Sequence, residues 1–342
     1  MIPQPRPPGI LASLVLALTL LGCDERGLIE YRLAGPTMGT QFAVAIVAGP
    51  GFADARVQEQ VHAALEDVDA RMSTYRSQSE VTRFNQLPST DWFAVSPQLC
   101  SAVARSLEIS VLTDGAFDIT VGPLVDLWGF GPDESRREPP ADATIDAAMS
   151  TTGFEKLHVD CNRPAIRKDD AGLRIDLSAF AKGLAADNVA SSLNSNDIEN
   201  YLVDIGGDLR ARGRNAQDVA WRVAIERPDG TGRAVETVIH LSGGAVATSG
   251  DYRNYFAWNG ARYSHTIDPG SGRPVTHQLA SATVYASNAA DADALATALM
   301  VLGPDKGLAF AETEGIAALL LIREGNQYAA RISSTFRSLM ER

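Results

Sequence analysis

The chain has 342 residues, 45% of them hydrophobic and 21% charged, with a formal net charge of −12. Such a field repels a polyanion, which excludes nucleic acid as a partner, and it requires local positive charge wherever a phosphate is to bind. Three cysteines make neither a disulfide framework nor a zinc site, and the length suits one large domain or two intimately packed lobes.

Arg6 precedes an apolar run over residues 10–21, too short to cross a bilayer as a helix and suited to the core of a cleaved signal peptide. The run ends in Leu20-Leu21-Gly22-Cys23, which resembles the lipobox of bacterial lipoproteins, although Leu21 is bulkier than usual there. The expected division is a signal peptide over 1–22, a tether over 23–35 starting at a lipidated Cys23, and one domain over 36–335. Asp24 resembles the residue that keeps such lipoproteins in the inner membrane, so the expected location is its periplasmic side. Cys100 and Cys161 then remain, and in an oxidising compartment one disulfide is possible.

Residues 41–47 form a β-prone run with partial alternation, closed by Gly49-Pro50-Gly51. Val57, Val61, Leu65, Val68, Met72 and Tyr75 recur three or four residues apart and lay one apolar stripe along a helix. Ser96-Pro97 opens a second helix carrying Leu99, Val103 and Leu107. Strand-length runs follow at 173–177, 201–205, 219–225, 235–241, 255–258, 262–267, 281–286, 316–322 and 327–332, with Asn259-Gly260 as a hairpin turn. Helices are expected over 179–193 and 289–302, the latter stopped by Gly303-Pro304. Hairpins with irregularly placed helices predict an α+β fold with a largely antiparallel sheet.

Five clusters could carry chemistry. Asp293 and Thr297 stand four apart on one helix face, where a carboxylate and a hydroxyl can reach the same hard cation, or Asp291 and Asp293 could simply favour a helix start. Asp176-Leu177-Ser178-Ala179-Phe180-Ala181-Lys182-Gly183 leads a strand into a helix whose first N–H groups suit an anion. There Lys182 could charge-pair a phosphate or be merely solvated, and Ala179 could offer a metal its carbonyl. His265, in a run that continues to Asp268-Pro269-Gly270, is an acid–base candidate or a structural histidine. Asp114-Gly115-Ala116-Phe117-Asp118 could let a ligand approach the backbone. Met38 and Tyr75 could flank a flat ring or only fill a core.

The ordered set Met-Gly-Thr (38–40), Met-Ser-Thr-Tyr (72–75), Gly-Ala-Phe-Asp (115–118), Asp-Leu-Ser-Ala-Phe-Ala-Lys-Gly (176–183), Val-Asp-Ile-Gly-Gly-Asp (203–208), Thr-Ser-Gly-Asp-Tyr (248–252), His-Thr-Ile-Asp-Pro (265–269) and Ala-Asp-Ala-Leu-Ala-Thr-Ala (292–298) resembles the ApbE family of FAD:protein FMN transferases. Thr266 replaces the aliphatic residue of many relatives. The resemblance implies FAD contacts at Met38, Tyr75, Ala116, Phe117, Asp118, Asp176, Lys182 and Ile267. It further implies Mg²⁺ at Asp293, Thr297 and the Ala179 carbonyl, and a catalytic set of His265, Lys182 and Asp176. The implied acceptor bears Asp-x-x-Ser/Thr-Gly-Ala/Ser-Thr in a membrane redox complex. An FAD pyrophosphatase and a non-catalytic flavin-binding lipoprotein are the competing expectations.

Overall fold

A computed structural model of the chain describes residues 27–340 apart from 53–54, 133–137, 230–233 and 253. The expected signal peptide, Cys23 and Asp24 lie outside the described residues. Eight strands form the frame: β1 (Ile29–Thr37), β2 (Thr40–Ala48), β3 (Tyr201–Ile205), β4 (Asp208–Arg212), β5 (Gly243–Gly250), β6 (Leu279–Ala286), β7 (Ala317–Glu324) and β8 (Gln327–Ile332). They lie side by side in chain order, and every neighbouring pair is antiparallel. Among the described residues eight helices complete the fold: α1 (Ala55–Met72), α2 (Glu80–Gln86), α3 (Pro97–Leu112), α4 (Gly122–Leu127), α5 (Asp142–Ser150), α6 (Ser178–Asn194), α7 (Ala289–Thr313) and α8 (Ser334–Met340).

The sheet is apolar on both faces, which explains why its strands alternate only partially in sequence. Successive strand side chains point to opposite faces, so Val44 and Ile46 of β2 join the core under α1, α6 and α7, while Ala45 and Val47 join a second core on the other side. That second core is roofed by a hairpin of Trp221–Glu226 with Val235–Leu241 and by Phe336 of α8. A third, smaller core gathers Leu124, Trp128, Ile145, Phe256 and Ile267, with the Trp128 indole donating to the Gly272 carbonyl at 2.8 Å.

Several expectations need correction. Residues 29–35 are not tether but most of β1, an edge strand with no strongly apolar face, whose outward residues are Arg32, Ala34 and Pro36. The domain also runs beyond residue 335, because fully buried Phe336 anchors α8. Residues 173–177 form no strand and contribute only a parallel bridge from Arg174 to Val121. The run over 262–267 divides between Ala261–Ser264 and Ile267–Asp268. Helix α1 buries its predicted stripe but ends before Tyr75.

The expected stop of α7 at Gly303-Pro304 is a real break: Gly303 is not helical (φ 78°, ψ −176°), and a second helical stretch begins at Pro304 and continues to Thr313. Pro304 has no N–H for the Met300 carbonyl four residues earlier. His277 fills the gap, its Nε2 lying 2.8 Å from that carbonyl while Nδ1 accepts from the Leu279 N–H at 3.3 Å. Although α7 is long and apolar enough to cross a membrane, it is the core helix, packed on α6, β5 and β6.

Two contacts fix this arrangement. Cys100 of α3 forms a disulfide with Cys161, 61 residues away. A serine pair at both positions is expected to lower unfolding free energy by up to about 4 kcal/mol from loop entropy, read from urea denaturation. At Gly183 the backbones of α6 and α7 touch: an added Cβ would lie 2.2 Å from the Ala289 carbonyl oxygen. Gly183→Ala should cost about 3 kcal/mol in overpacking against about 1 kcal/mol of gained helix propensity. A melting curve should therefore shift down, and an unchanged one would contradict this contact.

Candidate active site

The Gly183 contact places the neighbouring Lys182 against α7. Its ammonium lies 3.0 Å from Asp293 Oδ2 and 3.1 Å from Asp208 Oδ2, both carboxylates being almost wholly buried. Burial works against the lysine charge, but the two carboxylates outweigh it and raise the Lys182 pKa. Burial pushes Asp208 well above the carboxylate range, and the like charge of Asp293 adds to the push while Lys182 opposes it.

Ala179 departs from helical geometry inside α6 (φ −91°, ψ 18°). The Gly183 N–H, one turn on from Ala179, approaches Asp293 Oδ2 at 3.4 Å. One turn beyond Asp293 on the same face, the Thr297 hydroxyl lies 2.9 Å from that of Ser249 on β5. Among the described residues no three His, Cys, Asp or Glu side chains could hold a metal ion together. The donor set that fits a hard cation is of another kind: the Asp293 carboxylate, the Thr297 hydroxyl and the Ala179 carbonyl, with water and phosphate oxygens to complete an octahedron.

Asp176 connects two of the predicted clusters. Its carboxylate accepts the Ser178 N–H at 2.8 Å just before α6, while its own N–H donates to the Ile119 carbonyl at 2.7 Å. The segment carrying Ala116, Phe117 and Asp118 thereby lies beside the start of α6. Asp118 is buried and its oxygens accept from the Thr120 N–H, the Thr120 hydroxyl and the Phe154 N–H. Burial outweighs those bonds and raises its pKa. Ala116 and Phe117 are buried too, so that stretch offers a ligand mainly its backbone edge.

Met38 and Gly39 form the two-residue turn between β1 and β2, both with positive φ (43° and 70°). This turn sits beside Gly206, which lies between β3 and β4 and donates to the Gln41 carbonyl. Tyr75 is 63% exposed in the loop after α1. Ile267 is buried in the third core.

His265 follows the hairpin of Tyr255–Trp258 and Ala261–Ser264, and its Nδ1 lies 3.0 Å from the Asn254 carbonyl. Burial lowers its pKa, the nearby Lys182 charge lowers it further, and the Asn254 bond opposes both. A neutral imidazole that spends its N–H on that carbonyl leaves Nε2 as a base.

Three groups escaped sequence reasoning. Asp208 stands in the Gly-Gly-Asp turn but had no assigned role. Asp187 of α6 accepts the Ala289 and Ala290 N–H groups at 2.9 to 3.0 Å and so fixes the start of α7. Asp291, read as a cap, instead pairs with Arg105 at 2.8 and 2.9 Å, and the cap is Asn288.

Residues 38–320 match the ApbE family. A Vibrio cholerae protein named FAD:protein FMN transferase is 43% identical over 333 residues, covering 97% of this chain and 99% of its own. The solved structure of the flavin transferase ApbE from Vibrio cholerae superposes with a TM-score of 0.84 at 42% identity, over 91% of this chain and 99% of that one. The apo flavinyl transferase ApbE of Pseudomonas stutzeri gives a TM-score of 0.86 at 41% identity, over 93% and 99%. With the matched residues spanning every group of the site and the likeness running nearly the full length, this chain belongs to the ApbE family.

Proposed function

We propose that the chain is an FAD:protein FMN transferase that moves the FMN half of FAD onto a Ser or Thr hydroxyl of an acceptor protein, leaving a phosphoester-linked flavin and releasing AMP. The relatives' names support the activity. One observation carries the chemistry: the Lys182 ammonium is already matched by two buried carboxylates, so a diphosphate entering here needs further positive charge. Asp293, Thr297 and the Ala179 carbonyl would hold Mg²⁺, which would offset the charge that builds on the phosphoryl oxygens.

The rest is the work of the chain's own groups. His265 Nε2 takes the proton as the acceptor oxygen bonds to the FMN-side phosphorus and the bond to the AMP phosphate breaks. Lys182 faces the developing phosphate charge. Asp176 fixes the first turn of α6, whose N–H groups face the anion. Met38, Tyr75, Ala116, Phe117, Asp118 and Ile267 complete the FAD contacts in this reading. The acceptor segment is Asp-x-x-Ser/Thr-Gly-Ala/Ser-Thr in a membrane redox complex. The enzyme works on the periplasmic side of the inner membrane, anchored through Cys23, a location supported by the Cys100–Cys161 disulfide.

Incubating the protein with FAD, Mg²⁺ and an acceptor that carries this motif should leave covalent flavin fluorescence on the denatured acceptor. Free FMN alone would favour hydrolysis, and intact FAD would favour simple binding; either contradicts the proposal. His265 must act unprotonated, and its pKa is held below the ordinary 6.5. Because a lowered pKa postpones protonation, the acid limb of kcat/KM should have its midpoint below pH 6.5. A midpoint above that value would remove His265 from this role.

A further inference from the structure

The geometry points to Asp208 as a positioning residue that takes over the Lys182 ammonium when Asp293 turns to a divalent cation. This inference rests on the metal reading just given. Lys182 makes an aligned hydrogen bond to Asp293 Oδ2 at 3.0 Å, whereas Asp208 Oδ2, equally close at 3.1 Å, has no aligned donor. Asp208 is 2% exposed. Its place is fixed by the turn of Gly206 and Gly207, both at positive φ (62° and 100°), with the Gly207 N–H held by Asp204 at 2.8 Å.

A divalent ion on Asp293 Oδ2 would face an ammonium across the same oxygen, and two positive charges at such range repel strongly in a buried site. Lys182 must therefore leave Asp293. Among the described residues its ion pairs are with Asp208 and Asp293, so Asp208 is the carboxylate that remains. A small rotation of the lysine aligns the bond that is now unmade. Asp208 thus does not touch the metal; it keeps the competing ammonium off the metal's ligand.

The test titrates the whole protein with Mg²⁺ alone and reads the concentration that gives half of the full rise in melting temperature. Asp208→Asn keeps the shape but leaves Lys182 only Asp293 as a carboxylate partner, and it should raise that concentration by roughly tenfold or more, since the neutral Ser178 carbonyl is then its other partner. Adding Lys182→Met should return it to within about threefold of the parent, because the competitor is gone. A single variant that responds like the parent overturns the inference. So does a double variant as weak as the single one, which would mean general damage. A parent protein with no Mg²⁺ response would instead overturn the metal reading itself, so the two failures are distinguishable.

Discussion

The backbone of α6 meets the backbone of α7 at Gly183, and the position of every charged group at the site follows from that approach. A side chain there would strike the Ala289 carbonyl. Without one, Lys182 reaches Asp293, the Gly183 N–H reaches the same carboxylate, and Asp187 accepts the first N–H groups of α7. The contact is a packing constraint first. Its chemical consequence is a lysine held between two buried carboxylates at the meeting of two helices and the β3–β4 turn.

Bringing these charges together is costly, and the fold bears the cost through partnering. An isolated buried carboxylate would protonate or draw in a counter-ion. Burial pushes the Asp208 pKa up, and both carboxylates draw in a counter-ion, Lys182. Elsewhere the same rule yields structural pairs: Asp118 turns to hydroxyl and backbone N–H groups, and Asp251 forms a two-pronged pair with Arg323. The Lys182 cluster differs because its partners can be exchanged. A cation at Asp293 displaces one bond while leaving a second carboxylate within reach.

The sequence made the helical half of this site legible. The four-residue spacing of Asp293 and Thr297 and the strand-to-helix signature around Lys182 are local patterns, and local patterns survive folding. Asp208 was not legible because its importance arises only when β4 is laid beside α6, and its strand, Asp-Leu-Arg-Ala-Arg, is too polar to announce itself. Strand β5 escaped for the opposite reason. Its Gly, Ala, Ser and Thr residues have weak strand preference, yet small side chains let α7 pack close, and Ser249 meets Thr297 there. The break in α7 at Gly303-Pro304 was legible, but its partner was not: the Met300 carbonyl it frees is met by a distant residue, His277.

The measurement that bears most directly on this account is a crystal structure with FAD and Mn²⁺, using the anomalous signal of manganese to place the metal. The account expects one peak bonded to Asp293, Thr297 and the Ala179 carbonyl, with the FAD diphosphate against it and Lys182 drawn to Asp208. A peak elsewhere, or a diphosphate bound with Lys182 still on Asp293 and no metal beside it, would contradict the account.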